Sequence, residues 1–211
     1  MNKPEMEDSL PRLEYQMPGQ NPNGPPLARV IIWAVAGLGL FALVVSTLLP
    51  SIGRSREPAN RVRCAANLRE IGLACLLYAN ADPQGRFPPS FEVVLATQDI
   101  TSEVFCCPET NDERATGATT QAAVDQLSAG GHLSYVYVGS SVKNSDGGNV
   151  VVAYEPLTNH HGTGMNVLFA DGHVEFMTAA QGQVLTAVAQ SAAGKKVIWN
   201  GKAAAVASTQ P

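Results

Sequence analysis

Residues 30–49 form an uninterrupted run without a single charged side chain. At 1.5 Å of rise per residue, a helix of about twenty residues spans roughly 30 Å, which is the thickness of the hydrocarbon core of a bilayer. Ser46 and Thr47 are the only hydroxyl-bearing residues of the run and lie near its end, so a helix here lacks the polar face of a soluble core helix. The run therefore predicts one transmembrane helix, and the rest of the chain must fold on either side of it.

A cleaved secretory signal is the alternative interpretation of the same residues. The run is longer than the usual apolar core of a signal peptide, and residues 48–52 lack the small-x-small pattern of a cleavage site. We therefore expect an anchor that stays on the chain.

The basic residues around the run bear on its orientation and on nucleic-acid binding. Arg29 lies just before the run, and a cluster of arginines follows it: Arg54, Arg56, Arg61, Arg63 and Arg69. By the positive-inside rule, this distribution would place the C-terminal side in the cytoplasm. We interpret the cluster as a solvated or membrane-proximal helix face, because a net charge of −4 and 6% aromatic residues argue against nucleic-acid binding.

Composition divides the chain into five regions. The N-terminal region is rich in Pro, Asn and Gln and lacks apolar periodicity, so we expect it to be disordered. The expected order is a disordered tail over residues 1–26, a transmembrane anchor over 27–50, an amphipathic helix over 51–82, an antiparallel β head over 83–180, and a C-terminal helix and strand with a frayed tail over 181–211.

Apolar residues downstream of the anchor recur with helical spacing. They lie four and three residues apart, at Cys64, Leu68, Ile71, Cys75 and Tyr78. This spacing predicts a helix over residues 59–80 with one buried face, which the turn sequence at residues 82–85 ends. Pro50, Gly53 and Pro58 predict a break between this helix and the anchor.

The head is predicted to contain strands and two further helices. Aromatic and β-branched residues predict strands over 133–138, 150–154 and 195–201, and helices are expected over 91–97 and from Met177 to about residue 193.

A hairpin is expected around Asp171-Gly172, with a two-residue type I′ turn that places Ala170 opposite His173. Alternation along the strands then separates two faces. The face predicted to cover the helix over 59–80 consists of Val167, Phe169, Val174 and Phe176, and the outward face of Leu168, Ala170, His173 and Glu175.

Several short patterns occur in a fixed order along the chain. They are Cys64-x-x-Asn67-Leu68-x-x-Ile71-Gly72 in the predicted helix, Phe87-Pro88 after it, Cys107-Pro108 in the middle loop, and His161 followed by Asp171-Gly172. In this order they resemble bacterial prepilin-type proteins, related to type II secretion pseudopilins and type IV pilins, that carry a His-x9-Asp-Gly signature. The motif residues are His161, Asp171 and Gly172, and the resemblance covers roughly residues 30–177.

The resemblance implies an α+β fold, in which an N-terminal transmembrane helix and an amphipathic helix pack on a small antiparallel sheet, as in pilins. It implies a single pass through the inner (plasma) membrane, with the C-terminal head outside the cytoplasm. The implied function is that of a structural or interaction component of a type II secretion or pilus-like system, and not of an enzyme. Its partners would be the lipid bilayer and other envelope, secretion or pilus-like proteins, without nucleic acid.

The chain departs from that family at the start of its apolar run. Residues 25–33 contain neither the basic-Gly cleavage junction of prepilins nor the glutamate that follows it in the mature chain. That glutamate helps pilin subunits to join a filament. The sequence therefore does not predict whether a peptidase processes the chain or whether the chain polymerises.

Histidines in and beside the hairpin suggest a metal site as an alternative. His160, His161, Asp171 and His173 offer nitrogen and oxygen ligands suited to zinc or a similar divalent ion. Such a site would make the chain a membrane-tethered metal-binding module or metal-dependent hydrolase. Otherwise His161 caps the loop, Asp171-Gly172 only forms the turn, and no cofactor is bound. We assign no catalytic residue, because the sequence shows neither His-Glu-x-x-His spacing nor an evident nucleophile–base set.

The four cysteines of the chain permit one disulfide between the helix and the middle loop. In an oxidising compartment, Cys64 would pair with Cys106 or Cys107. Alternatively, all of these cysteines are free thiols that behave as small buried apolar residues.

Overall fold

The computed structural model describes residues 26–207, without the side chains of residues 48–55. Almost all of the predicted disordered tail, and residues 208–211 of the predicted frayed end, lie outside the described residues. The chain divides into two units, Met1–Pro50 and Ser51–Pro211.

Over its described residues, the first unit consists of the N-terminal part of helix α1 (Leu27–Ala81). Within it, Leu27–Thr47 is long and apolar enough to cross a membrane, with a mean hydropathy of 2.3. Its large side chains are exposed, to 77% for Trp33 and 69% for Leu38. Length and composition thus agree with the predicted transmembrane segment.

The break predicted at Pro50 and Pro58 is wrong, because α1 continues through both residues. Each proline removes one backbone hydrogen bond from the helix. The residues around Pro58, among them Arg56, Glu57 and Ala59, include strong helix formers. Single missing bonds therefore do not end the helix, which stops at Ala81, directly before the turn predicted over residues 82–85.

The second unit is built around a six-stranded antiparallel sheet. The strands are β1 (Val136–Tyr137), β2 (Val150–Tyr154), β3 (Gly164–Phe169), β4 (Val174–Thr178), β5 (Val197–Trp199) and β6 (Ala204–Val206). Their order is β4-β3-β2-β5-β6, and β1 also pairs with β2. All residues of β2 and β3 are buried, so the centre of the sheet is covered on both faces.

Helices α1 and α4 (Ala179–Ser191) supply the cover on opposite faces. Leu68 of α1 belongs to the same buried cluster as Leu168 of β3. Leu185 of α4 belongs to a second cluster, with Val167 of β3. Since neighbouring residues of a strand point to opposite faces, β3 contributes to both cores.

The remaining elements partly match the prediction. Helix α2 (Phe91–Thr97) has the predicted bounds, whereas α3 (Thr120–Ala129) was not predicted. Short 3-10 helices lie at Ser102–Phe105, Gly139–Ser141 and Leu157–His160. The strand predicted over 133–138 is confined to β1. Within the end predicted to be frayed, Ala204–Val206 forms β6, because its backbone pairs with β5.

The hairpin turn between β3 and β4 contains three residues rather than the predicted two. The N–H of Phe169 donates to the carbonyl of His173 at 3.0 Å, and the N–H of Gly172 donates to the carbonyl of Phe169 at 2.9 Å. Gly172 has a φ of +87°, which glycine adopts without a steric penalty. Asp171 and Gly172 therefore do lie in the turn, but Ala170 lies in it with them, as in three-residue loops with a glycine bulge.

This extra residue exchanges the two faces of β3. Leu168 and Ala170, which were expected to face outward, lie in the cluster with α1. Val167 and Phe169, which were expected to cover that helix, lie in the cluster with α4. A slip of one residue moves every side chain of a strand to the other face, so this part of the prediction is wrong, although Val174 keeps its expected side against α1.

Leu168→Ala is expected to lower the free energy of unfolding by about 2–5 kcal/mol, because it leaves a cavity in the core. Leu77→Ala is the matched control, since it removes the same atoms from a side chain of α1 that is 55% exposed, where we expect a change within about 0.5 kcal/mol. Denaturant unfolding of the detergent-solubilised full chain, followed by near-ultraviolet circular dichroism, measures both. Equal losses would contradict the register described for β3.

Candidate functional site at Glu155 and His160

The structure separates the four metal ligands predicted from the sequence into two pairs. His160 and His161 precede β3, whereas Asp171 and His173 follow it. Strand β3 has 6 residues, and a strand of that length spans roughly 20 Å at about 3.3 Å per residue. One ion cannot bridge this distance, so the predicted four-ligand site is not formed, because an extended strand lies between its halves.

Asp171 and His173 support the turn. The Oδ1 atom of Asp171 accepts a hydrogen bond from the backbone N–H of His173 at 3.1 Å and lies 2.5 Å from the Nδ1 atom of the same residue. The imidazole stacks on the ring of Phe169, with 4.4 Å between ring centroids. Burial raises the pKa of Asp171, but the hydrogen bonds from His173 outweigh it, so the pKa lies below its usual value.

His161 of the signature lies on the surface and ends the short helix Leu157–His160. Its backbone is left-handed, with a φ of 51°, and its Nε2 atom lies 3.2 Å from Oε1 of Glu109. Asn60 of α1 donates to the other oxygen of Glu109. The hydrogen bond from Asn60, followed by that from His161, lowers the pKa of Glu109. His161 therefore connects its loop to Glu109, which also contacts α1.

His160, the neighbouring residue, is fully buried beside an equally buried carboxylate. Its Nε2 atom lies 3.2 Å from Oε2 of Glu155, and its Nδ1 atom lies 3.8 Å from Oε1 of Glu57. Oε2 of Glu155 accepts hydrogen bonds at 2.9 Å from both the backbone N–H and the side-chain amide of Asn166. Glu155 directly follows β2 and Asn166 lies in β3, so adjacent strands position this carboxylate.

Several buried polar atoms of this pair have no hydrogen-bond partner within the described part of the chain. They are Oε1 of Glu155 and both ring nitrogens of His160. The contact at 3.2 Å between the imidazole and the carboxylate thus has the distance of an ion pair, but not the alignment of a hydrogen bond. Each unpartnered buried polar group lowers the free energy of unfolding by about 1–3 kcal/mol. The Glu155–His160 pair therefore destabilises the core.

A disulfide between Cys64 of α1 and Cys107 lies next to this pair. The two Cα atoms are 5.4 Å apart and the bond closes a separation of 43 residues. Asn67 donates to the backbone carbonyl of Cys106 at 3.1 Å, which holds the loop against α1. Of the two partners left open by the sequence, the structure selects Cys107, because the sulfur of Cys106 is directed to the carbonyl of His132. The chain-entropy model assigns about 4 kcal/mol to such a crosslink.

The two other cysteines are free thiols. Burial raises the pKa of Cys75 to about 12, against the opposing effect of its hydrogen bond with Tyr137. Burial also raises the pKa of Cys106, with a further contribution from the charge of Asp112. Both are therefore protonated at neutral pH and poorly suited to act as nucleophiles.

The ligand atoms of Cys64, Cys107, Glu155 and His160 all lie within 4.8 Å of one another, and each residue is buried. Across residues 26–207, no other group of three or more His, Cys, Asp and Glu side chains has metal-ligand spacing. His160 was among the ligands predicted from the sequence, but the structure places it beside Cys64, Cys107 and Glu155 rather than with Asp171 and His173. A single glutamate directly after the apolar residues of β2 was the available signal for Glu155.

Comparisons of the chain with family models, curated proteins and solved structures found no match. The resemblance noted from the sequence therefore stays a prediction, and the function has to be argued from the geometry.

Glu155→Ala is expected to lower the free energy of unfolding by about 3–5 kcal/mol, because it removes the carboxylate that accepts two hydrogen bonds from buried Asn166 and lies 3.2 Å from the buried imidazole of His160. Glu175→Ala in strand β4 is the control. Glu175 is exposed, so its replacement should lower the free energy of unfolding by less than about 0.5 kcal/mol. Denaturant unfolding of the full chain in detergent measures both variants. If the two variants have the same stability, Glu155 does not organise the site.

Proposed function

We propose that this chain is a single-pass membrane protein whose C-terminal head acts as a structural or interaction component of a type II secretion or pilus-like system. The observation that carries the membrane part of the proposal is the apolar segment Leu27–Thr47, with a mean hydropathy of 2.3 and no burial among the described residues. The secretion or pilus part rests on the sequence resemblance. Arg29 is the only charged residue of this segment and lies at its start. An apolar helix of this length is stable in the hydrocarbon core of a bilayer, where its backbone groups are paired internally.

The disulfide supports a location of the head outside the cytoplasm. Disulfides persist in oxidising compartments and are rare in the cytosol. The arginines that follow the apolar segment argue for the opposite orientation. At least one of them is engaged by the fold, since the guanidinium of Arg61 lies 2.6 Å from Glu57 and 4.1 Å from the ring centroid of Phe176. We therefore give the buried disulfide more weight than the count of positive charges.

The positions of the signature residues support a structural rather than a catalytic role. His161 contacts Glu109 on the surface, and Asp171 and Gly172 form the hairpin turn. The C-terminal part of α1 packs on an antiparallel sheet, which is compatible with the pilin-like arrangement that the sequence resemblance implies.

A metal-dependent hydrolase is the competing function. Such an enzyme keeps one coordination position open to water and substrate. His160 and Glu155 are both 0% exposed, so substrate cannot reach them without a rearrangement of the core. The geometry therefore favours the non-enzymatic function.

The location of the head can be tested through its cysteines. Cells producing the full chain are quenched with acid, denatured and alkylated without reductant. We expect only Cys75 and Cys106 to be labelled, because Cys64 and Cys107 are joined. Cys107→Ser should free Cys64 for labelling, whereas the adjacent substitution Cys106→Ser should leave the bond intact. Labelling of all four cysteines in unaltered cells would contradict an oxidising location.

The interaction function can be tested in native membranes. The chain, extracted in mild detergent through an affinity tag, is expected to co-purify with secretion or pilus-type envelope proteins. Leu73 and Leu77 of α1 are 58% and 55% exposed, so Leu73→Ser with Leu77→Ser should reduce this recovery severalfold if α1 contacts the partners, without destabilising the head. Leu38→Arg, which puts a charge in the apolar segment, should abolish membrane retention. Recovery of the intact chain as a monomer alone would contradict the proposal.

A further inference from the structure

We infer that Cys64, Cys107, Glu155 and His160 form a redox-controlled site for a divalent ion of the zinc type. The site cannot bind the ion while the two cysteines form a disulfide, and it binds the ion when they are reduced to thiols. The inference is independent of the function proposed above, because it concerns metal binding by the purified chain.

The geometry and chemistry of the four side chains carry this inference. Their ligand atoms lie within 4.8 Å of one another. A tetrahedral zinc ion with bonds of about 2.0–2.3 Å places its ligands about 3.3–3.8 Å apart. Two thiolates, one imidazole and one carboxylate are a ligand set typical of zinc. Reduction would let the two sulfur atoms separate, and only small movements would then be needed to surround an ion.

The unpartnered atoms provide a second and independent observation. Among the residues that the structure describes, Oε1 of Glu155 and both ring nitrogens of His160 are buried without a hydrogen-bond partner. Buried polar atoms of this kind require an explanation, and an unfilled metal site is one. A structural disulfide with an adjacent imidazole–carboxylate contact is the competing interpretation, but it leaves these atoms without partners in the oxidised form that the structure describes. A bound ion would engage one imidazole nitrogen and one carboxylate oxygen.

Neighbouring residues lie beside the proposed ligands, and one of them already holds its ligand in place. Nε2 of His160 lies on the side of Glu155, while Nδ1 lies 3.8 Å from the carboxylate of Glu57. A carboxylate near the second nitrogen is the usual outer partner of a metal-binding histidine. Asn166 holds Oε2 of Glu155 through two hydrogen bonds of 2.9 Å, which fixes the carboxylate, whereas Glu57 lies near His160 without a hydrogen bond to it.

The redox step balances with a dithiol as the reductant. The dithiol transfers two electrons and two protons to the Cys64–Cys107 disulfide, which gives two protein thiols and an oxidised, cyclic disulfide of the reductant. A divalent zinc ion then displaces the two thiol protons as it binds the two thiolates. In the reverse direction, an oxidising disulfide accepts two electrons, the sulfur–sulfur bond forms again, and the ion leaves because disulfide sulfur is no longer a thiolate ligand.

The test uses the detergent-solubilised full chain and Co²⁺ as a spectroscopic substitute for zinc. With dithiol-reduced protein, we expect one Co²⁺ per chain and a thiolate-to-cobalt charge-transfer absorption. With oxidised protein, we expect neither. Cys107→Ser should abolish the thiolate absorption, whereas Cys106→Ser should retain it. The two variants are a matched pair, because each replaces one of two adjacent cysteines by serine. Under reducing conditions neither substitution removes a disulfide.

The histidines allow a second matched comparison. His160→Ala should lose Co²⁺ binding, whereas His161→Ala and His173→Ala should keep it, since these two side chains lie outside the cluster. If His160→Ala does not fold, the unaltered chain decides the question. After reduction, its Cys64 and Cys107 should be alkylated much more slowly with Zn²⁺ than without it, whereas labelling of Cys106 should be the same in both. Absence of the thiolate absorption in the reduced, unaltered chain, or equal loss of binding in Cys106→Ser and Cys107→Ser, would overturn the inference.

Discussion

The side-chain amide of Asn166 is the contact on which the arrangement of helix, sheet and buried site depends. It donates to the backbone carbonyl of Arg61 in α1 at 3.1 Å and to Oε2 of Glu155 at 2.9 Å. The backbones of Asn166 and Glu155 also bond to each other, since Glu155 donates to the carbonyl of Asn166 at 3.0 Å. One buried residue of β3 therefore connects α1 to the end of β2. Because Asn166 is only 2% exposed, water cannot replace these bonds, and α1 is confined to one position on the sheet.

That position brings Cys64 next to Glu155. Cys64 lies one turn after Arg61, and Leu68 and Ile71 continue the same face of α1 into the core. Gly72 allows a close approach further along, since a Cβ atom there would lie 2.6 Å from Cδ1 of Leu168. The disulfide to Cys107 then joins the middle loop to an interface that is already defined by packing and hydrogen bonds.

The sequence predicted the elements better than their contacts. Spacing was sufficient for the buried face of α1, because local periodicity determines it. It was not sufficient for the hairpin, because β3 is apolar on both faces. Val167 and Phe169 are as suitable for a core as Leu168 and Ala170, so the pattern did not distinguish two registers that differ by one residue. The candidate metal site was harder to predict than the hairpin. Its residues Cys64, Cys107 and Glu155 are far apart in the chain and meet only through the packing of α1 on the sheet.

The spacing between His161 and Asp171-Gly172 has a simple physical meaning. In this chain it is the length of β3 with a loop at each end, so the three residues lie at opposite ends of one strand. The inferred metal site uses the preceding residue, His160, which is buried, whereas His161 is exposed. Apolar residues at positions 155 and 160 would fill the same space without the desolvation cost of a carboxylate and an imidazole, and replacements of that kind are often neutral or stabilising. A core that holds these two polar groups against a disulfide thus carries a cost that packing does not explain, and a ligand for the reduced site would offset it.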